Sequence, residues 1–167
     1  VRTTYIATPD GVFTAHFSKQ GLARLEFPAR GKQPAPTVLT PALAPPEFRA
    51  RHLLVETALR RALLGQLPEA WPALDLSAGR SFQRRVWEVL RTIPPGRTMT
   101  YGEVAAAVGR PTALRATGGA CGANPVPVLI PCHRVLAAHG GLGGFSGGLE
   151  WKKKLLEREG VLAPPLL

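Results

Sequence analysis

The sequence predicts an α+β protein: a small sheet-and-helix part at the N-terminal side, then a helical part that carries the reactive groups. Three observations point there. Residues 3 to 27 alternate short β-rich runs with turn signals, residues 47 to 67 show helical periodicity, and everything from Ser81 onward is punctuated by helix starts and stops. With 167 residues the chain can bury a core as one domain or two small ones. The expected division is 1–76 and 77–167.

The runs Thr3 to Thr8, Val12 to Phe17 and Leu22 to Phe27, separated by Pro9-Asp10-Gly11 and Lys19-Gln20-Gly21, read as an antiparallel meander. Pro28 to Pro46 holds six prolines and reads as an extended surface connection. From Glu47 to Leu67 a helix is expected, with Leu53, Leu54, Ala58, Leu59, Ala62 and Leu63 on its buried face and Pro68 as its stop. Trp71 to Gly79 lacks strong periodicity and is the expected domain boundary.

Ser81 is a candidate N-cap for a helix burying Phe82, Val86, Val89, Leu90 and Ile93, stopped by Pro94-Pro95-Gly96. Thr100-Tyr101-Gly102-Glu103 has the form of a capping box, so a helix starts there and ends at Gly109. Thr112 is the expected cap of a further helix reaching about Gly122. The two make a helix-turn-helix pattern. The second of them is nearly all Ala, Gly and Thr, which lets another backbone come close, in the protein interior or at a nucleic acid. Arg115 alone in it could read base edges. A last helix, about Leu149 to Glu159, carries Glu150 and Lys154 at i,i+4 and closes at Gly160, with Glu159 opposing the helix dipole.

Charge narrows the partner. The 21 basic and 11 acidic residues give +10, of which +7 (12 minus 5) falls from Ser77 onward and +3 (9 minus 6) before it. A polyanion, nucleic acid or an anionic membrane surface, is the first physical expectation and should meet the second part; the basic charge of that part favours DNA, bound at the minor groove without much sequence preference. No apolar run approaches the roughly 18 residues that would span a bilayer, and Val1 to Tyr5 has no secretory character, so a soluble cytoplasmic chain is expected. Two cysteines, Cys121 and Cys132, supply neither a disulfide framework nor the spacing of a structural zinc site, so no metal is expected.

The chemistry centres on Pro131-Cys132-His133-Arg134-Val135, behind an apolar run (Val126 to Ile130) that reads as a buried strand. A thiolate is the nucleophile of cysteine chemistry, and a neighbouring base or cation favours it. In extended backbone, adjacent side chains point to opposite sides, so His133 needs a turn or a bridging water to reach Cys132, with Glu159 or another carboxylate orienting the ring. That adjacency counts against a cysteine hydrolase. Asn124-Pro125-Val126-Pro127 precedes the motif, and six glycines in ten residues, His139 to Gly148, follow it, suited to close approach of a ligand or to a loose surface loop.

This series, with Gly144-Phe145-Ser146-Gly147-Gly148-Leu149, closely resembles the O6-alkylguanine-DNA alkyltransferases (methylated-DNA–protein-cysteine methyltransferases) from about Phe82 to Gly160. The first 75 or so residues match in general layout. The resemblance implies a ribonuclease H-like first domain and a winged helix-turn-helix-type second domain, acting as a monomer without cofactor. It implies irreversible transfer of an alkyl group, typically methyl, from O6 of a flipped-out guanine to Cys132, with O4 of thymine left open. His133 would act as base through water, with Glu159 behind it and Tyr101 protonating guanine N3. Asn124 would hold the turn before the active-site segment, and the carbonyls of Cys132 and Val135 would accept from the guanine amino group. Ser146 would donate to O6, and Phe145, Pro127 and Gly147 would wall the pocket. Arg115 would fill the place of the extruded nucleotide, with Thr112, Ala113, Gly118, Gly119, Gln83 and Arg134 as further DNA contacts.

The sequence departs from the family in places. Phe145 stands where many members have Tyr, Gly122 where some have Arg, and no cysteine precedes Cys121 to bind the zinc that some members carry. The alternative is a non-catalytic helix-turn-helix or damage-sensing protein, yet the alkyltransferase-like sensors lack the acceptor cysteine, and Cys132 is present.

Overall fold

The structure, a computed structural model, describes residues 2–31 and 44–163. The expected connection therefore lies partly outside the described residues, at positions 32–43. Strands β1 (Arg2–Thr8), β2 (Gly11–Phe17) and β3 (Leu22–Glu26) form the predicted antiparallel meander in the order β1-β2-β3. Ile6, Phe13, Ala15, Phe17, Leu22 and Leu25 are buried on it. Gly11 takes φ 119° at the first turn, a conformation open to glycine but strained for other residues.

Helix α1 (Pro46–Leu63) starts with proline at its first position, where no NH is needed. It ends before Pro68. Gly65 (φ 73°) donates to Ala62 O and Gln66 to Arg61 O, the paired bonds of a Schellman stop. Its buried stripe is Phe48, His52, Val55, Ala58, Leu59, Ala62 and Leu63. Leu53, expected inside, is 61% exposed. Phe48 decides this: it packs edge-on against Phe17, 5.2 Å between centroids, and Leu53 lies roughly 140° further around the helix.

The stretch expected as a boundary does not hang free. Leu22 N donates to Ala73 O and Asp75 N to Leu22 O, both 2.9 Å, so residues 73–75 lie along β3, and one hydrophobic cluster runs from Ile6 to Leu155.

Helix α2 (Ser81–Arg91) has Ser81 as its first turn, not its cap. Instead Gln83 Oε1 accepts from Arg80 N at 2.8 Å. Trp87, absent from the predicted face, is buried and donates Nε1 to Ala120 O at 2.8 Å. That bond ties α2 to α4 (Leu114–Gly122). Between them α3 (Tyr101–Ala107) has the predicted capping box, with Glu103 N to Thr100 Oγ1 at 3.1 Å and Thr100 N to Glu103 Oε2 at 2.6 Å. Thr112 does not cap α4: Ala113 holds that position, and Thr117 Oγ1 bonds to its carbonyl at 2.8 Å.

Strand β4 (Met99–Thr100) pairs in parallel with β5 (Val135–Leu136), so the start of α3 and the end of the cysteine motif lie side by side. Helix α5 (Leu149–Arg158) closes the fold. Glu150 and Lys154 do not pair with one another; Glu150 meets Arg30 at 3.2 Å and Lys154 meets Asp10 at 2.9 Å, because both point across to the N-terminal part. No helix among the described residues is long and apolar enough to cross a membrane.

Candidate active site

Residues Val126 to Ile130 are buried as predicted, but they form turns instead of a strand. Asn124 organises them. Its Oδ1 accepts from Val126 N at 3.0 Å, and its Nδ2 donates to Ile130 O at 2.7 Å and to Cys132 Sγ at 3.1 Å. Ile130 N closes onto Val126 O at 2.9 Å. The enclosed Val128 sits at φ 73°, which a β-branched residue adopts only where its surroundings enforce it.

The motif itself turns. Pro131 (φ −80°, ψ 63°) brings Cys132 N onto Ile130 O at 2.8 Å, and Cys132–Arg134 is one 3-10 turn. Cys132 thereby faces a cleft of about 290 Å³ with Tyr101, Phe145 and Ser146, walled on the α4 side by Gly118 and Cys121. Burial pushes the Cys132 thiol up, while the Asn124 hydrogen bond and the Lys152 charge pull it down. Cys121 is suppressed as well: burial and the neighbouring Cys132 take it up to about 12.

His133 points away from the cleft surface into the core and is fully buried. Its Nε2 lies 2.8 Å from Glu159 Oε1, and its Nδ1 has no protein hydrogen-bond partner among the described residues. A carboxylate on Nε2 selects the tautomer protonated there and leaves Nδ1 as a lone-pair acceptor. Burial keeps the ring below the usual histidine range despite the Glu159 bond, so it is neutral, with the Nδ1 lone pair able to accept. Burial of Glu159 works against its charge, but the hydrogen bonds from His133 and Arg134 and the Arg134 charge prevail and hold the carboxyl down at about 2.

Arg134 was expected among the DNA contacts. It is 6% exposed, with Nε 3.0 Å from Glu159 Oε2, Nη2 2.8 Å from Oε1 and Nη1 bonded to Ile93 O, so its charge is spent inside. The reason is local: a carboxylate buried at a helix C-terminus needs a cation, and Arg134 is one residue from the histidine that shares it.

Lys152 was not anticipated. It is fully buried, and its Nζ donates to Val135 O at 2.6 Å, with Gly144 O at 3.4 Å. It therefore joins the end of the cysteine motif to the glycine loop. Val135 O, expected to meet a guanine amino group, already accepts this bond, and Cys132 O accepts Val135 N. The signal was present in the spacing: Lys152, Leu155, Leu156 and Glu159 recur at i, i+3, i+4 and i+7, one face of α5.

The glycine loop is anchored, not loose. Gly143 (φ 69°) packs on the Tyr101 ring, and Gly147 lies where any Cβ would run into the rings of Phe27 and Phe145. Asn124, Pro127 and Gly147 line an adjoining groove of about 520 Å³ that shares Gly122 and Ser146 with the cleft. On α4, Arg115 and Gly119 are exposed, and a Cβ at Gly118, Gly119 or Gly122 would meet nothing within 4 Å. The small face of this helix is thus open, so close internal packing is not its purpose. Thr112 is exposed and Ala113 half-buried at its start. Among the described residues no cluster of three or more His, Cys, Asp or Glu side chains could hold a metal.

Comparison with known proteins identifies the family. Residues 81–161 match the family described as 6-O-methylguanine DNA methyltransferase, DNA binding domain. A methylated-DNA–protein-cysteine methyltransferase of Salmonella typhimurium is 51% identical over 86 residues, 52% of this chain and 50% of that protein. One from Mycobacterium tuberculosis is 50% identical over 100 residues, 60% of each. The matches thus span about half to three-fifths of these curated relatives. Solved structures match over more of their length. The crystal structure of Mycobacterium tuberculosis OGT in complex with DNA superposes with a TM-score of 0.72 at 36% identity, covering 95% of this chain and 92% of that one. The O6-methylguanine-DNA methyltransferase of Pyrococcus kodakaraensis gives 0.64 at 27% identity, covering 95% and 98%. By sequence and by the arrangement of its mixed sheet-and-helix fold, this chain belongs to the O6-methylguanine-DNA methyltransferase family.

Proposed function

We propose that this chain repairs DNA directly, moving an alkyl group from O6 of guanine to Cys132 Sγ in a single transfer. One observation carries the reading: Cys132 faces an open cleft and takes a hydrogen bond from Asn124, while the next residue is a neutral, buried histidine backed by a carboxylate, with one ring nitrogen left over. His133 Nδ1 takes the thiol proton through a bridging water, and Glu159 stabilises the imidazolium that forms. The thiolate attacks the alkyl carbon, the S–C bond forms, and the C–O6 bond breaks with its electron pair left on guanine. Tyr101 meets that charge by protonating N3, and Ser146 donates to O6. The product thioether has no means of cleavage in the chain, so each molecule acts once.

A base inside a duplex hides its O6 group, so it must be extruded, and a weakly paired lesion costs least to flip. The open small-residue face of α4 suits close approach of α4 to DNA at the minor groove, with Arg115 occupying the vacated position. Here α3 and α4 act as a winged-type helix-turn-helix in a 77–167 domain, and residues 1–76 form a ribonuclease H-like support. Incubation with duplex containing O6-methylguanine, followed by peptide mass analysis, should show one methyl on Cys132. DNA binding with an unmodified peptide would sink the proposal in favour of a damage sensor.

A further inference from the structure

The C-terminal turn of α5 is held by elements that take no part in the cleft. Asp10, in the turn between β1 and β2, accepts from Arg158 Nη2 at 2.7 Å and Nη1 at 2.8 Å and lies 2.9 Å from Lys154 Nζ. Arg158 Nη1 also donates to Leu63 O at 2.9 Å, at the last turn of α1. Gly65 packs so closely on the Arg158 carbonyl that a Cβ there would meet it at 2.7 Å. This is not a loose surface pair, for the Asp10 side chain is only 9% exposed. The Arg158 hydrogen bond, against the effect of burial and helped by Lys154, draws its carboxyl down to about 2.

The residue after Arg158 is Glu159. It is the C-cap of a ten-residue helix, and its side chain has 0% exposure beneath His133 and Arg134. Helices of this length are marginal alone, and their last turn frays unless tertiary contacts fix it. A shift of about 1 Å in that turn would stretch the Glu159 to His133 bond beyond hydrogen-bond range. We infer that Asp10 and Arg158 are positioning residues: their clamp between the β1–β2 turn and α5 sets the Glu159 carboxylate against His133 and so makes the N-terminal part a component of the proton relay. The inference rests on the alkyl-transfer reading.

A second ion pair between the same parts supplies the control. Arg30 and Glu150 also join the N-terminal part to α5, but at its first turn and in solvent, so breaking them should leave the relay alone. The test uses Asp10→Asn, Arg158→Gln, Arg158→Lys, Asp10→Glu and Arg30→Ala in the full chain. The rate of transfer from free O6-benzylguanine is measured well below each melting temperature, with ring nitrogen NMR of His133. Glu159, Arg134 and Lys152 are the charged groups acting on that ring. Asp10→Asn and Arg158→Gln should slow transfer roughly tenfold, since small misplacements of reacting groups have effects of that order. The His133 signals should also move from the single Nε2-protonated tautomer toward a mixture. Asp10→Glu should restore most of the rate, Arg30→Ala should match the parent protein, and Arg158→Lys should fall between. Lower melting temperatures with unchanged rate and unchanged His133 signals would overturn the inference, leaving the clamp as a structural tie. If the strongest variants do not fold, an Arg158→Lys protein with full rate and an unaltered ring overturns it equally. A parent protein that transfers nothing from O6-benzylguanine or from O6-methylguanine in duplex would instead remove the proposed function, while the NMR comparison would still decide the clamp.

Discussion

Replacing Glu159 with Gln probes the centre of the proposed relay. The substitution keeps one oxygen to accept from His133 and removes the charge that Arg134 meets at 2.8 to 3.1 Å through Nε and Nη2. Breaking a buried ion pair typically costs about 3 to 5 kcal/mol, because the surviving charge is left uncompensated. The retained oxygen and the Arg134 bond to Ile93 O place this case near the lower end, about 3 kcal/mol. For a chain of this size that lowers the melting temperature by roughly 6 to 12 °C. The gap should depend on pH in a defined direction. The Glu159 carboxyl is depressed from 4.5 to about 2, so its stabilisation is complete above about pH 5 and is lost as pH falls through 2. Thermal or denaturant unfolding of both proteins from pH 7 to pH 2 should therefore show their difference shrinking below about pH 4.5. Transfer from O6-benzylguanine should slow by about a hundredfold at neutral pH, the low end for loss of general-base catalysis. A stability difference that stays constant down to pH 2, or a folded variant with full rate, would refute the reasoning.

Two further outcomes follow from α4. Gly119→Ala should raise stability by about 1 kcal/mol, since the new methyl meets no atom within 4 Å and glycine is a poor helix former. The same variant should bind duplex more weakly by gel shift or anisotropy, and a fall in melting temperature would contradict the open face. Arg115→Ala should slow repair of O6-methylguanine in duplex by roughly a hundredfold, reflecting a few kcal/mol of unstacking, while transfer from the free base changes little. Equal losses in the two assays would assign Arg115 another role.

Local chemistry was legible wherever a residue's role depended on its near neighbours in the chain. The meander, the Thr100–Glu103 capping box and the likeness centred on Cys132 fall in that class, since turn residues, caps and side-chain periodicity act over a few positions. Near-neighbour logic also failed in recognisable ways. Thr112 and Ser81 look like caps but are displaced by one position, because packing of Trp87 and Leu90 sets where α2 lies and the Gly109 to Ala113 turn sets where α4 begins. Leu53 reads as core but faces outward, because Phe48 claimed the sheet.

The sequence by itself determined that Cys132 and His133 stand side by side behind a proline, that a carboxylate sits at the end of the last helix, and that the basic charge lies mostly in the same part of the chain. Only tertiary structure decided how they are joined. The turn at Pro131 points Cys132 to the cleft and His133 into the core, Arg134 is drawn inward by the buried Glu159, and Lys152 is spent on Val135 O. These are choices between solvent and a buried partner many positions away, and a buried charge is tolerable only where the folded chain brings its counterpart to it.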